Sequence, residues 1–283
     1  MTSPAQKLRS LIDKGEHFVA AEAYSALTGR IVQDVGFKAA YLGGHACSAF
    51  HYAVPDNGVF SQIEQLDQAG RIAEAMNIPL IADADTLGET VADAFHFTRK
   101  YIRAGIAGFH VEDEVNPKHS KYVGGLASIP DMQFRIDACT RARGDHPFVI
   151  IARCDEMYPI ARGGGGTVSI EEAIKRGKAY AEAGADVLTF PIASQEAIQV
   201  IAAEVPVPVC TLGFNAPGTS FTLSTGWGWT GAAQLHMSRA RELMETGTVK
   251  MDLVLEGKDR LIEQDLYDAL TLEWAEKTGR RTR

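Results

Sequence analysis

The chain has 283 residues, 46% of them hydrophobic, and a formal charge of -8 at neutral pH. That length suits a single (β/α)8 barrel, which takes about 250 residues, and the apolar fraction is ample for one large core. The negative charge argues against a nucleic-acid binder, which needs an excess of Lys and Arg on one surface, and no run reaches the roughly 18 apolar residues of a membrane span, so a soluble protein is expected. Met1 to Lys7 lacks the apolar centre of an export signal. Cys47, Cys139, Cys154 and Cys210 stand singly without metal-ligand spacing, as reduced thiols in a cytoplasm do. The basic end, Arg280-Arg281-Thr282-Arg283, reads as a solvated tail.

A first helix is predicted around Ala5 to Asp13. Apolar and amphipathic runs then alternate, the pattern of repeated βα units with a parallel sheet. Strands are expected at His17 to Ala23, Phe37 to Leu42, Pro79 to Asp85, Gly108 to Glu114, Phe148 to Asp155, Asp186 to Pro191 and Val207 to Leu212. Between them the periodicity predicts helices over Ala26 to Val35, Gln62 to Ala75, Glu89 to Ala104, Asp131 to Arg143, Ile170 to Ala183 and Gln195 to Ala203. An eighth, irregular strand is placed in Phe221 to Thr230, which contains Thr225-Gly226-Trp227-Gly228-Trp229. Helices at Ala232 to Glu245 and Leu261 to Lys277 follow. The expectation is one α/β domain over 1–283, a TIM-type barrel with a helical extension from about 232. Gly163-Gly164-Gly165-Gly166 lacks the Lys-Ser/Thr of a phosphate loop, so a mobile loop over the barrel mouth is expected.

Two apolar runs end abruptly in acids, Ile81-Ala82-Asp83-Ala84-Asp85 and Phe109-His110-Val111-Glu112-Asp113-Glu114. Parallel strands of a barrel deliver such residues to one rim. Oxygen ligands gathered there suit Mg²⁺ or Mn²⁺, which keeps several waters and takes the rest of its shell from substrate. Against this stands a plainer reading, one acid capping the next helix and the other pairing with a cation. In a regular strand Asp83 and Asp85 would also point to opposite faces.

Lys118 and Arg153 are candidates to bind an anionic substrate, Arg153 because a strand end is a poor place for Arg without an anionic partner. An ion pair with Glu112 is the alternative. Tyr41-Leu42-Gly43-Gly44-His45 ends the second strand in bare backbone N–H groups able to cradle a carboxylate or enolate oxygen, or in a simple tight turn. His110, inside an apolar strand, reads as a satisfied core histidine. Cys154 reads as buried packing.

At Asp83-Ala84-Asp85-Thr86, Val111-Glu112-Asp113 and Ala152-Arg153-Cys154-Asp155 the chain resembles the isocitrate lyase and phosphoenolpyruvate mutase superfamily. The likeness runs from about Ala20 to Glu245 and includes Ala23-Tyr24-Ser25-Ala26-Leu27, Val54-Pro55-Asp56 and Ala183-Gly184-Ala185-Asp186. It implies an α/β barrel whose last helix is exchanged between subunits of a dimer or tetramer. It implies Mg²⁺ on Asp85, with Asp83 and Glu112 acting largely through water. It also implies an oxygenated carboxylate or enolate met by Tyr41, Gly43, Gly44, His45 and Asp56, with Arg153 holding its anionic end.

The departures shape the functional expectation. Lyases resembling this chain carry Lys-Lys/Arg-Cys-Gly-His after strand four, the Cys protonating the departing enolate. Here Asn116-Pro117-Lys118-His119-Ser120-Lys121-Tyr122 keeps Lys118 but places Ser120 and Tyr122 at the Cys and His positions, and an unactivated serine is too weak an acid. His119, Tyr122 and Tyr24 are the candidates for the vacant proton-donor role, His119 having the most suitable unperturbed pKa. The expected activity is a Mg²⁺-dependent carbon–carbon lyase, by aldol-type cleavage or decarboxylation, acting on a small 2-oxo or 2-hydroxy carboxylate through a metal-stabilised enolate. Phosphonopyruvate-type carbon–phosphorus chemistry and a non-catalytic carboxylate-binding barrel are the alternatives.

Overall fold

The computed structural model describes residues 2–120, 122–162 and 164–280; Gly163, Arg281, Thr282 and Arg283 lie outside them. Eight short strands, β1 (Phe18–Glu22), β2 (Ala39–Leu42), β3 (Leu80–Asp83), β4 (Gly108–Glu112), β5 (Val149–Arg153), β6 (Val187–Thr189), β7 (Val209–Leu212) and β8 (Phe221–Leu223), pair in parallel in chain order, and β8 closes on β1. Helices α1 (Pro4–Asp13), α2 (Ala26–Val35), α3 (Gln62–Glu74), α4 (Val91–Arg103), α5 (Ile129–Arg143), α6 (Ile170–Glu182) and α7 (Gln195–Glu204) accompany them. The (β/α)8 barrel expected from the alternation is present. Each of these seven helices starts at a Ser or Thr whose hydroxyl accepts a first-turn backbone N–H, as Ser25, Ser61, Thr90 and Ser169 do. Such caps satisfy amides that the helix itself leaves without partners.

Strand alternation divides the apolar residues into two layers. Ala21, Ala40, Leu42, Leu80, Ala82, Phe109, Val111, Ile150, Ala152 and Leu188 pack with the helices in the outer layer. Ala20, Ala39, Tyr41, Ile81, Val149, Ile151, Val187, Cys210, Phe221 and Leu223 fill the barrel interior, together with Ala5 and Leu8 of α1. One step further along the inward-facing columns, Ala20 gives way to Glu22, Ile81 to Asp83 and Ile151 to Arg153. The interior is therefore apolar at one end and ionic at the carboxyl end of the strands. Register sets neighbours there directly, Asp83 beside His110 and Glu112 beside Arg153.

Two local expectations are corrected and one unexpected element is added. The segment Thr225 to Trp229 is not strand: β8 stops at Leu223 and helix α8 (Trp227–Thr246) begins within it. Residues after β2 wind into a π-helical stretch, Ala46–Tyr52, that periodicity did not indicate. The glycine run is not a loose loop over its described residues. A Cβ on Gly164 would lie 2.2 Å from the Tyr158 carbonyl oxygen, and one on Gly166 2.1 Å from that of Glu156. Gly166 N–H donates to Tyr158 O at 2.9 Å and Val168 N–H to Glu156 O at 2.9 Å. Glycine is required there for close backbone approach.

Residues 1–231 and 232–283 form two compact units. The second holds the later turns of α8 with α9 (Lys258–Leu261) and α10 (Gln264–Thr278), and exposes Met244, Met251, Leu253, Val254, Leu270 and Trp274. Among the described residues no helix is long and apolar enough to cross a membrane. All four cysteines are free and buried.

Gly108 opens β4 at a close approach to β5. A Cβ there would lie 2.7 Å from Val149 O and 2.9 Å from Val149 Cβ. We expect Gly108→Ala to lower stability by about 1–3 kcal/mol through overpacking, read as a lower urea midpoint; an unchanged midpoint would show that the β4–β5 seam is slack.

Candidate active site

The site begins with how Asp83 and Asp85 come to act together. β3 ends at Asp83, and Asp85 takes a left-handed conformation with φ of 46°. The chain thereby leaves the regular strand pleat that would have parted the two carboxylates. Asp83 is held from two sides, Oδ1 accepting Asp85 N–H and Oδ2 accepting Gly44 N–H, each at 2.9 Å. Gly44 is therefore committed to Asp83, and its amide does not serve the substrate cradle expected for it. A Cβ on Gly44 would meet Asp83 Oδ2 at 2.8 Å, so glycine is what permits the approach.

Glu112 lies on β4 with its carboxylate fully buried, and neither oxygen makes a hydrogen bond. Its ion-pair partners are Arg153 Nη1 at 3.0 Å and Lys118 Nζ at 3.2 Å. One oxygen each from Asp83, Asp85 and Glu112 lie within 4.8 Å of one another. Three buried hard-oxygen donors, one of them without a hydrogen-bond donor, fit a Mg²⁺- or Mn²⁺-type cation. Lys118, 1% exposed, reaches into this group, pairing with Asp56 Oδ1 at 3.0 Å and hydrogen-bonding Asp85.

The charge states follow from burial set against partners. For Asp83 and Glu112, burial would raise the pKa, but His110, Lys118 and Arg153 beside the first, and Arg153 and Lys118 beside the second, hold both below the usual carboxylate range. Burial and the carboxylates of Asp83, Asp56 and Glu112 push Asp85 well up despite Lys118. Burial would lower Lys118, yet Asp85, Glu112 and Asp56 carry it above its ordinary value.

A cavity of about 250 Å³ opens beside these acids. Of the residues singled out from sequence, Tyr41, Gly43, Gly44, His45, Asp56, Asp83, His119 and Arg153 line it. Asp85, Glu112 and Lys118 are buried behind that lining. Tyr24 and Tyr122 are not brought to it. The Tyr24 ring packs edge-on against Phe50 at 4.8 Å, and Tyr122 is 94% exposed. Ser120, at the position of the lyase Cys, accepts the backbone N–H groups of Tyr122 and Val123 at 3.2 and 3.3 Å, a turn-forming role. His119 does reach the cavity, Nδ1–H donating to Asp56 O at 2.8 Å, with Nε2 3.3 Å from Glu114 Oε2 and 3.5 Å from Arg153 Nη2. Burial, then Lys118 and Arg153, lower its pKa.

Several residues to which the sequence reading gave no role in catalysis or metal binding of their own belong to this arrangement. Asp155 holds Arg153 by two hydrogen bonds of 2.8 Å. His110 lies under Asp83, with Nε2 paired to Tyr41 Oη at 2.8 Å and Nδ1 3.5 Å from Asp83 Oδ1. Glu114, 2% exposed, is raised to about 8 by burial and by Asp155 and Glu112. Tyr158 and Trp229 line the cavity. The signal for Glu22 was available, since it ends an apolar run as Asp83 does; Tyr158 lies in an irregular segment and Trp229 in the first turn of α8, neither with such a pattern.

Residues 8–226 match the phosphoenolpyruvate phosphomutase family. The chain belongs to the phosphoenolpyruvate mutase/isocitrate lyase superfamily. Among relatives in this superfamily, 2,3-dimethylmalate lyase of Eubacterium barkeri is 37% identical over 186 residues, covering 65% of this chain and 62% of the relative. Phosphonopyruvate hydrolase of Variovorax sp. is 34% identical over 187 residues, covering 65% and 62%. The matches thus span about three-fifths of these relatives' length. A solved structure of oxaloacetate acetylhydrolase in complex with 3,3-difluorooxalacetate superposes with a TM-score of 0.84 at 26% identity, covering 100% of this chain and 99% of that one.

The raised pKa of Glu114 gives a pH test. A carboxyl that titrates higher in the folded than in the unfolded state favours folding at low pH, and that contribution is lost as pH rises from about 4.3 toward the folded value. In chelator-treated protein, Glu114 should cost up to about 1.4 kcal/mol per pH unit across this window, ending near the folded pKa of about 8. We expect Glu114→Gln to flatten the decline, measured by urea denaturation at several pH values. Parallel curves for parent and variant would remove Glu114 as its source.

Proposed function

We propose that the protein is a divalent-metal-dependent carbon–carbon lyase acting on a small 2-oxo or 2-hydroxy carboxylate through an enolate. The observation that carries this reading is the buried Asp83–Asp85–Glu112 cluster behind a cavity lined by Arg153 and His119. Asp83, Asp85 and Glu112 would hold Mg²⁺ or Mn²⁺, which supplies Lewis acidity to stabilise negative charge on a substrate oxygen. Arg153, locked by Asp155, presents a preorganised cation to the substrate carboxylate. Gly43 and His45 line the same cavity toward Thr225 and Trp229.

We assign the proton transfer to His119. Its Nδ1–H is committed to Asp56 O, so Nε2 is the nitrogen left for exchange. A lowered pKa keeps the ring neutral near pH 7, able to take the hydroxyl proton as the carbon–carbon bond breaks and return it to the enolate carbon. Burial away from solvent protects that carbanionic species from stray protons. The same site in a carbon–phosphorus enzyme would release phosphate, the reading favoured by the likeness to phosphonopyruvate hydrolase. We further propose a cytoplasmic homo-oligomer, dimer or tetramer, with the last helix exchanged between subunits; the apolar residues exposed by 232–283 support association.

Proton and phosphorus NMR of the protein with Mg²⁺ and oxaloacetate, alkyl malates, 4-hydroxy-2-oxo acids or phosphonopyruvate tests the chemistry. We expect a 2-oxo acid without phosphate; phosphate release would replace the lyase reading. Asp85→Ala should abolish both turnover and the rise in melting temperature on adding Mg²⁺, and retention of both would remove the metal centre. His119→Gln should lower kcat by about 10²–10⁴-fold with the fold intact; a rate near the parent's would move proton transfer to another group, Tyr158 first.

A further inference from the structure

The end of the cavity away from the acids carries its own information. Glu22 ends β1 facing inward, 2% exposed. Its Oε1 accepts Thr225 Oγ1–H at 2.9 Å and Gly226 N–H at 2.6 Å; its Oε2 accepts Gly228 N–H at 2.6 Å and Trp229 N–H at 3.2 Å. These amides open α8, and a helix start of this kind is where a barrel commonly receives a phosphate or carboxylate. Here the protein's own carboxylate has consumed the donors. Gly228 permits it, since a Cβ there would lie 2.7 Å from Glu22 Oε2. A second substrate anion at this end would meet spent amides and a negative charge.

What the cavity presents instead is apolar. The Trp229 ring stacks on His45 at 5.4 Å, and Pro191, Ile192 and Leu212 complete the lining. Ile192 is held at φ of 65°, a strained conformation for a β-branched residue of the kind that gathers at ligand-binding positions. Among the described residues, the permanent cation in the lining is Arg153, at the acid end and fixed by Asp155 and Glu112.

We propose that the cavity is two-ended and takes a monocarboxylate: a 2-oxo acid end at the acid cluster and Arg153, and a short alkyl group against Trp229 and Ile192. With no second carboxylate to accept the electron pair, the sink must be the 2-oxo group itself. The substrate class is then a 4-hydroxy-2-oxo acid bearing an alkyl group on C4. The C3–C4 bond breaks, C4 becomes an aldehyde carbonyl as its hydroxyl proton leaves to His119, and the electron pair forms the enolate of a 2-oxo acid. That enolate takes the proton at C3, with no oxidant or reductant. This inference rests on the lyase reading of the same site.

Calorimetric binding in the presence of Mg²⁺ separates the two without turnover. The probes are oxalate, N-isobutyloxamate and N-oxalylglycine, the last two presenting an isobutyl group and a near-isosteric carboxylate at the far end. N-isobutyloxamate should bind at least about tenfold tighter than N-oxalylglycine, and Ile192→Arg, at a position 44% exposed, should reverse the order. Equal or tighter binding of N-oxalylglycine to the parent protein overturns the two-ended cavity. Binding of oxalate but of neither oxamate overturns the apolar far end and leaves the lyase reading standing. If oxalate also fails to bind with Mg²⁺, both fall.

Discussion

An excess of buried negative charge at the carboxyl end of the barrel is the constraint on which this structure depends. Asp56, Asp83, Asp85, Glu112 and Asp155 crowd one region, and their fixed cationic partners there are Lys118 and Arg153. Desolvating carboxylates without full compensation is costly, by several kcal/mol per ion even after relaxation. A protein designed for stability alone would put apolar residues here, as this one does one step down at Ile81 below Asp83 and at Ile151 below Arg153. The acids make physical sense as a site that gains its remaining positive charge from a ligand.

Such charge is tolerated because the backbone holds it rigidly. Asp85 and His119 sit in left-handed conformations, φ 46° and 54°, and Gly44 lets its own amide reach Asp83. Behind the barrel wall a second ionic group steadies the first. Arg176 and Tyr180 of α6 hold Asp113 Oδ2 at 3.2 and 2.6 Å, while Asp113 Oδ1 accepts Asp155 N–H at 2.8 Å. Asp155 in turn holds Arg153. The guanidinium that lines the cavity is therefore braced through the barrel wall to an outer helix, which limits its freedom to reorganise.

Much of this was legible in the chain because barrels write their chemistry in a simple form. An apolar run that ends in a charged residue is a strand delivering that charge to the rim, and Asp83, Glu112 and Arg153 were each readable so. What sequence periodicity could not show was departure from periodicity. The turn at Asp85 that unites two acids spaced for opposite faces is a backbone event with no side-chain signature. The π-helical stretch Ala46–Tyr52 has no helical repeat of its own. Thr225 to Trp229 resembled a strand because its Trp and Thr residues favour sheets, whereas its glycines exist to wrap the chain around Glu22, a contact 203 residues away in sequence. Gly164 to Gly166 depart in the opposite direction: low complexity suggested looseness, and Gly164 and Gly166 pack closely on the backbone of residues 155–158 while Gly165 packs on Gly125.

The same charge distribution sets the protonation state of His119. His119 is lowered by burial and by Lys118 and Arg153, and opposed by Glu112 and Asp56. Any further positive charge neutralising Asp83, Asp85 and Glu112 weakens the opposing side and acts in the same direction as the two cations. A loaded site therefore keeps His119 neutral over a wider pH range than an unloaded one. A thiol in its place would respond oppositely in function: added positive charge lowers its pKa and depletes the protonated form that an acid needs. With Ser120 forming the turn and the His119 imidazole anchored on Asp56 O, the proton exchange proposed for His119 would be tied to the arrival of charge at the acids.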